Sequence, residues 1–133
     1  ALRDVSAEHV AGLASLTAAY LGDRAALRTV DRQELAALVE QGRVVVIDVR
    51  PVAEYAAGHI TGARSMPPGE VQRQLADLPA GTEIVAYCRG PYCVYADDAV
   101  RALARRGYAA RRLEDGFPEW KRAGLPVTVG EGR

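Results

Sequence analysis

Short β-branched or apolar runs alternate with helix-forming segments along most of this chain. Residues 44–49 are almost entirely β-branched, which is typical of a strand buried on both faces of a parallel sheet. The apolar run Glu83–Tyr87 predicts a second such strand. After it, apolar residues recur at helical spacing at Ala96, Ala99, Val100 and Leu103. Strands that alternate with helices predict an α/β fold, here a single domain with a central parallel sheet of about five strands flanked by helices.

The other predicted elements follow from helix caps and stops. Residues 31–34 have the form of a capping box, which opens a helix that continues to Gly42. Asp97 and Asp98 lie one turn before Arg101, which predicts exposed ion pairs on a solvated helix face. Further helices are predicted over residues 52–57, 68–78 and 94–106 and in a short segment before Gly124, with strands near Ser65 and over residues 108–113.

An additional helix is predicted at the N-terminus. Its apolar stripe lies at helical spacing between residues 5 and 22 and consists of Val10, Leu13, Thr17, Tyr20 and Leu21. We therefore predict an N-terminal helical extension or connector over residues 1–28 and one domain over residues 29–133. The stripe could pack on the body of the domain or against a partner, for instance in a homodimer.

Composition excludes several classes of function. The 133 residues are 49% hydrophobic and 26% charged, which fits a domain that buries its own core. With a net charge of zero, the chain has no basic field to attract nucleic acid or a membrane surface, and no apolar run is long enough to cross a membrane. Two cysteines are too few for a secreted disulfide scaffold, so we expect a reducing, cytoplasmic location. No spacing of ligand-type residues predicts a metal, and no cofactor is expected.

Cys88 begins a short loop between the second strand and the following helix. Backbone N–H groups of a tight loop and the positive end of a helix favour an anion at such a position. Arg89 adds a cation beside it. We therefore expect Cys88 to ionise readily and to act as a nucleophile, the alternative being a buried structural cysteine.

Several separated motifs together resemble the rhodanese domain family over roughly residues 29–129. In chain order they are Asp48-Val49-Arg50, Glu54-Tyr55, Gly58-His59-Ile60, Gly62-Ala63, Pro67, the loop from Cys88, Gly116-Phe117, Trp120, Gly124 and Pro126-Val127. The resemblance implies that Cys88 accepts a sulfane sulfur from a donor as a persulfide and passes it to cyanide or to a thiol. It also implies a substrate-binding loop, with backbone amides around the terminal sulfur, made of Arg89, Gly90, Pro91, Tyr92, Cys93 and Val94.

The loop departs from the family pattern at its end. Where the family often has arginine or threonine at the sixth position, this chain has Cys93, so Arg89 is the only full positive charge of the loop and efficient use of thiosulfate becomes doubtful. Cys93 could donate a weak hydrogen bond to the persulfide, or attack it to form a disulfide if the Cα atoms come within about 7 Å. It could also be only a small apolar residue. Phosphatase or arsenate reductase chemistry needs arginine six residues after the cysteine, where this chain has Val94.

Five residues outside the loop are predicted to support it. Asp48 and Arg50 are expected to form a buried pair that orders the sheet edge near the loop. Glu54 is expected to tie its helix to a neighbouring loop, His59 to be a hydrogen-bonded scaffold residue and not a general base, and Trp120 to lie in the core or at a pocket rim. Tyr92 is expected to protrude from the loop tip and face the acceptor.

A finer resemblance concerns the loop sequence and the run of residues 111–116. Both are similar to rhodanese domains fused behind ArsR-type winged-helix repressors. The resemblance implies a sulfurtransferase-type domain that belongs to a transcriptional regulator, with a winged-helix DNA-binding domain elsewhere in the full-length protein. The alternative is a non-catalytic sulfur- or redox-sensing module in which Cys88 and Cys93 signal to that separate domain.

Overall fold

Seven strands and five helices occupy the part of the chain that the computed structural model describes, residues 28–74, 77–78, 81–90 and 93–130. The strands are β1 (Thr29–Val30), β2 (Val44–Asp48), β3 (His59–Ile60), β4 (Arg64–Ser65), β5 (Glu83–Tyr87), β6 (Ala110–Leu113) and β7 (Val127–Thr128). The helices are α1 (Arg32–Glu40), α2 (Val52–Ala57), α3 (Glu70–Gln74), α4 (Val94–Arg105) and α5 (Phe117–Arg122). The N-terminal helix predicted over residues 5–22 lies outside the described residues.

Five strands form one parallel sheet in the order β1-β6-β5-β2-β4. The predicted α/β class, with a central parallel sheet of five strands and flanking helices, is confirmed. β5 lies at the centre, and alternate residues along it enter two separate apolar cores, because successive side chains of a strand point to opposite faces. Ile84, Ala86 and Cys88 enter the core beneath α4, whereas Val85 and Tyr87 enter the core on the other face.

Five elements differ from the sequence prediction. The helix predicted over residues 68–78 begins only at Glu70, because Gly69 has a φ of +91°, which a helix cannot continue through. The strand predicted over residues 108–113 begins at Ala110, because Tyr108 still donates its N–H to Leu103 at the end of α4. Three short strands were missed: β1, and the strands β3 and β7, which pair antiparallel in a second, two-stranded sheet.

Helix α1 carries half of the predicted capping box. Asp31 is the N-cap and accepts the N–H of Glu34 at 2.8 Å. The Glu34 carboxylate instead accepts a hydrogen bond from Arg111 at 2.9 Å, on β6. Across the described segments, no helix has both the length and the apolar character that a membrane crossing requires.

A buried polar network closes the carboxyl end of β2 beside the loop of Cys88. Arg50 donates from Nη2 to Asp48 Oδ2 at 2.7 Å and to the carbonyl of Gly58 at 2.5 Å. The Tyr87 hydroxyl donates to Asp48 Oδ2 at 2.5 Å and accepts the N–H of Ile60 at 3.0 Å. Burial, and then the neighbouring Asp48 carboxylate, raise the pKa of the Tyr87 hydroxyl above its ordinary value, so the hydroxyl stays a donor. The network therefore fixes β2, β5 and the corner between α2 and β3 to one another.

We predict that Arg50→Met is strongly destabilising, because it leaves the Asp48 carboxylate buried without its cation. The expected loss in the free energy of unfolding, measured by urea denaturation, is about 3–5 kcal/mol. Arg73→Met is the matched control, since Arg73 pairs with Glu70 on the surface and such pairs contribute about 0–1 kcal/mol. Equal losses in the two variants would contradict a structural role for the buried pair.

Candidate active site

Cys88 follows directly after β5, at the carboxyl edge of the parallel sheet. Ligands of α/β proteins bind at this edge, where strand ends and the N-termini of helices meet. Two backbone hydrogen bonds hold the entry to the loop: the N–H of Val49 donates to the Tyr87 carbonyl at 3.1 Å, and the N–H of Phe117 donates to the Cys88 carbonyl at 3.0 Å. The backbone at Cys88 is therefore tied to β2 on one side and to α5 on the other.

Cys88 and Cys93 are joined by a disulfide, and their Cα atoms are 6.1 Å apart. That separation lies within the reach that the sequence analysis required for a bridge. Cys88 is 1% exposed and packs into the core beneath α4, whereas Cys93 is only partly buried. In this state Cys88 carries no thiolate, so any nucleophilic chemistry begins with reduction of the bond.

The N-terminus of α4 faces the loop without a side-chain cap. Cys93 occupies the N-cap position in extended conformation and makes no capping hydrogen bond. The first N–H groups of a helix have no intrahelical partner, and the helix dipole places partial positive charge there. The N–H of Cys93 itself turns back to the Gly90 carbonyl at 3.3 Å, and Pro91 has no N–H. Amides that stabilise an anion on Cys88 must therefore come from other positions, including the first turn of α4.

Arg89 is paired with Glu54, so its charge is not available to a bound anion. Its guanidinium donates from Nε to Glu54 Oε1 at 2.9 Å and from Nη2 to Oε2 at 2.7 Å. These hydrogen bonds from Arg89 hold the pKa of the Glu54 carboxyl below its usual range, which keeps it ionised at neutral pH. Glu54 lies in α2, so the pair ties that helix to the loop of Cys88.

The remaining predicted site residues have structural contacts or lie at the edge of the loop. His59 is fully buried, stacks on the Tyr55 ring at 3.7 Å between centroids, and has Nδ1 at 2.8 Å from the Tyr55 carbonyl oxygen. Trp120, on α5, is buried in the core and donates from Nε1 to the Pro126 carbonyl at 2.8 Å. Val94 is an exposed residue at the start of α4. Pro91 and Tyr92 lie outside the described residues.

A protein-family comparison agrees with this arrangement. Residues 31–123 match the rhodanese-like domain family. This chain belongs to the rhodanese family.

Two curated relatives and one solved structure show what this chain is similar to. The HTH-type transcriptional regulator Rv0324 of Mycobacterium tuberculosis is 47% identical over 126 residues, which are 95% of this chain and 55% of the regulator. The chain thus spans about half the length of that relative. A sulfurtransferase of Allochromatium vinosum is 31% identical over 96 residues, 71% of this chain and 88% of that protein. The crystal structure of the BH2092 protein from Bacillus halodurans has a TM-score of 0.73 and 25% identity and covers 89% of this chain and 88% of that one.

The closing motif of this rhodanese domain lies directly against the active-site loop. A Cβ atom at Gly116 would overlap the backbone of Arg89 and Gly90. Only glycine permits this approach, although the backbone of Gly116 is extended and needs no left-handed conformation. The sequence motif marked Gly116 as typical of the family but did not reveal its contact with the loop.

The buried contact between Asp97 and Arg112, close to the loop of Cys88, was not predicted from the sequence. Asp98 forms the exposed pair with Arg101 that was predicted, at 3.4 Å. The prediction for Asp97 was wrong: its carboxylate is buried, and Oδ1 lies 2.7 Å from Nε of Arg112 on β6. The two aspartates are neighbours on one helix and therefore point about 100° apart around its axis, so one reaches solvent and the other reaches the sheet.

Metal binding finds no support among the residues with described positions. No group of three or more His, Cys, Asp or Glu side chains in that part of the chain could hold a metal ion. The two sulfur atoms, which would be the softest ligands, are bonded to each other.

We predict that Gly116→Ala displaces the loop and destabilises the domain. The added methyl group must push the Arg89–Gly90 backbone away, and overpacking of this kind costs about 1–3 kcal/mol. The measurement is the free energy of unfolding in urea, with the disulfide content determined by thiol alkylation and mass spectrometry.

The control for this variant lies on the other side of the same contact. Nothing lies within 4 Å of a Cβ atom built on Gly90, so Gly90→Ala should change the free energy of unfolding by less than about 1 kcal/mol. A Gly116→Ala protein as stable as Gly90→Ala would show that the loop can move away without cost.

Proposed function

We propose that this chain is a sulfurtransferase-type domain that carries sulfane sulfur as a persulfide on Cys88. The observation that carries the proposal is the position of Cys88, at the carboxyl end of the central strand and one bond away from the sulfur of Cys93 at the N-terminus of α4. Membership of the rhodanese family and the sulfurtransferase among its relatives support the same chemistry.

In the loading step the reduced Cys88 thiolate attacks the outer sulfur of thiosulfate or a sulfur of a polysulfide. A new S–S bond joins the Cys88 sulfur to the transferred sulfur, and the product is the Cys88 persulfide. The leaving group is sulfite or a polysulfide shorter by one sulfur atom. The positive end of α4 and the loop amides stabilise the negative charge on the terminal sulfur. Transfer to cyanide then restores the Cys88 thiolate and releases thiocyanate.

Cys93 offers the persulfide a second outcome. Its thiol attacks the inner sulfur, that of Cys88, which forms the Cys88–Cys93 disulfide and releases the outer sulfur as hydrosulfide. The two cysteines lose two electrons and the sulfane sulfur gains them, so no other oxidant is needed. A thiol reductant of the cytoplasm would return the pair to its reduced form.

The disulfide favours a second candidate, the sensing module. If the Cys88–Cys93 disulfide forms after Cys88 has accepted a single sulfur atom, turnover stops. The output of the reaction is then a change in the shape of the loop. The relative named as a transcriptional regulator and its greater length support placing this domain in a longer protein with an ArsR-type winged-helix DNA-binding part. In that setting residues 1–28 would form the connector and a dimer contact, and residues 29–133 the sulfur-handling domain.

The assignment of the two cysteines is tested by intact-mass analysis of the wild type, Cys88→Ser and Cys93→Ser after reduction and exposure to polysulfide. We expect Cys93→Ser to keep one added sulfur, the wild type to end as a disulfide with hydrosulfide released, and Cys88→Ser to do neither. Sulfur addition to Cys88→Ser at the rate of Cys93→Ser would rule out Cys88 as the carrier.

Enzyme and sensor are separated by turnover. A transferase forms thiocyanate from thiosulfate and cyanide in many equivalents per protein, and this activity disappears in Cys88→Ser. A sensor reacts once and stops as the disulfide, and Cys93→Ser then restores turnover because the competing reaction is removed.

We predict that Glu54→Gln improves the use of thiosulfate, because it frees the Arg89 charge for the anionic donor. Exposed ion pairs are weak and screened by salt, so the KM for thiosulfate should fall by no more than about fivefold, with a steeper salt dependence. Because the pKa of Glu54 is lowered, the carboxylate stays ionised and paired with Arg89 until the pH falls below the usual titration range of glutamate. The two proteins are therefore compared at neutral pH. Asp98→Asn, which removes one surface carboxylate paired with Arg101, should leave this KM unchanged.

A further inference from the structure

The guanidinium of Arg112 lies beneath the active-site loop and is almost completely buried. From Nη2 it donates to the carbonyl of Gly90 at 2.9 Å and to the carbonyl of Cys93 at 3.2 Å. These two residues are also joined by a hydrogen bond from the N–H of Cys93 to the carbonyl of Gly90. One side chain from β6 therefore holds the backbone of both Gly90 and the second cysteine.

The other two nitrogen atoms of Arg112 also lie close to oxygen atoms of the protein. Nη1 donates to the carbonyl of Leu113 at 3.0 Å and lies 3.4 Å from that of Glu114. Nε lies 2.7 Å from Oδ1 of Asp97, which is itself buried in the first turns of α4. The guanidinium is a planar group with donors in fixed directions, so these contacts orient it completely. Because its N–H groups face protein oxygens, Arg112 cannot supply the anion-binding charge that the family often places at the end of the loop.

The hydrogen bond from Arg112 to the Cys93 carbonyl also orients the peptide group between Cys93 and Val94. The C=O and N–H of a trans peptide point in opposite directions, so a Cys93 carbonyl directed at Arg112 turns the N–H of Val94 away from it. The same contact fixes the position of the Cys93 Cα, which stands 6.1 Å from that of Cys88. Arg112 thus controls the geometry on the Cys93 side of the disulfide, whereas Cys88 is held separately by β5 and Phe117.

We propose that Arg112, oriented by Asp97, is a positioning residue that keeps Cys93 within bonding distance of Cys88. It acts on closure of the disulfide and not on addition of sulfur to Cys88. The part of this proposal that concerns persulfide resolution rests on the proposed function. The part that concerns the two thiols does not, because the disulfide can be equilibrated with glutathione in the absence of any sulfur donor.

The test measures the equilibrium between the Cys88–Cys93 disulfide and glutathione in the wild type, in Arg112→Lys and in Arg112→Met combined with Asp97→Asn. The double variant removes both charges, so no buried ion is left without its partner. We expect the equilibrium constant for closing the disulfide to fall at least about tenfold in the double variant, which corresponds to about 30 mV. Arg112→Lys keeps the charge beside Asp97 but not the planar fork, so an intermediate loss is expected.

Sulfur loading provides the readout that a general loss of stability would not reproduce. In a Cys93→Ser background, both Arg112 variants should add sulfur to Cys88 from polysulfide at the rate of Cys93→Ser alone. In the wild-type background they should accumulate the persulfide and release hydrosulfide more slowly. Arg111→Met is the matched control, because Arg111 is the neighbour on β6 and pairs with Glu83 and Glu34 instead of the loop.

Each outcome decides between defined alternatives. A folded double variant or Arg112→Lys protein with the wild-type glutathione equilibrium would overturn the proposal, as would an equal shift in Arg111→Met. If the double variant does not fold, Arg112→Lys alone decides, since it retains the ion pair. Failure of Cys88 to accept sulfur in every background would overturn the proposed function, while a shifted glutathione equilibrium would still support the role of Arg112.

Discussion

The loop that begins at Cys88 is held in place by β6 and the start of α5, which contact the backbone of the loop. Arg112 binds the carbonyls of Gly90 and Cys93, and Phe117 donates its N–H to the carbonyl of Cys88. Gly116 allows the two backbones to approach where any side chain would collide. The backbone of the loop is therefore held by residues that are distant from it in sequence.

The charges around this loop are arranged in pairs, which limits what it can attract. Asp48 and Arg50 form a buried pair that fixes the sheet edge, and Glu54 neutralises the Arg89 charge at the surface. Within the described part of the loop, the anion-stabilising groups that are left are backbone amides and the positive end of α4. Such groups hold a charge that develops on a sulfur atom at short range, but they attract an anionic donor from solution only weakly, since a dipole acts mainly within the first turn of its helix.

The sequence predicted the elements whose information is local. The β-branched run before Asp48 and the apolar run before Cys88 became central strands, and the helix over residues 52–57 has the predicted ends. The antiparallel pair β3–β7 could not be predicted, because each strand has two residues and its partner is far away in the chain. The different positions of Asp97 and Asp98 could not be predicted either, because the two residues are chemically identical. Only the packing of α4 on β6 places Asp97 against Arg112.

The unequal burial of the two cysteines determines which sulfur atom of the disulfide an external thiol attacks. Cys88 is enclosed by core residues and Cys93 is partly exposed, so an attacking thiolate from solution meets Cys93 first. The bond then breaks with Cys88 as the leaving thiolate. The partial positive charge at the N-terminus of α4 lies near this thiolate, because its former bonding partner Cys93 is the N-cap of that helix. Reduction from outside would thus leave Cys88 as a free thiolate, with the reductant bound to Cys93, where a second thiol can remove it.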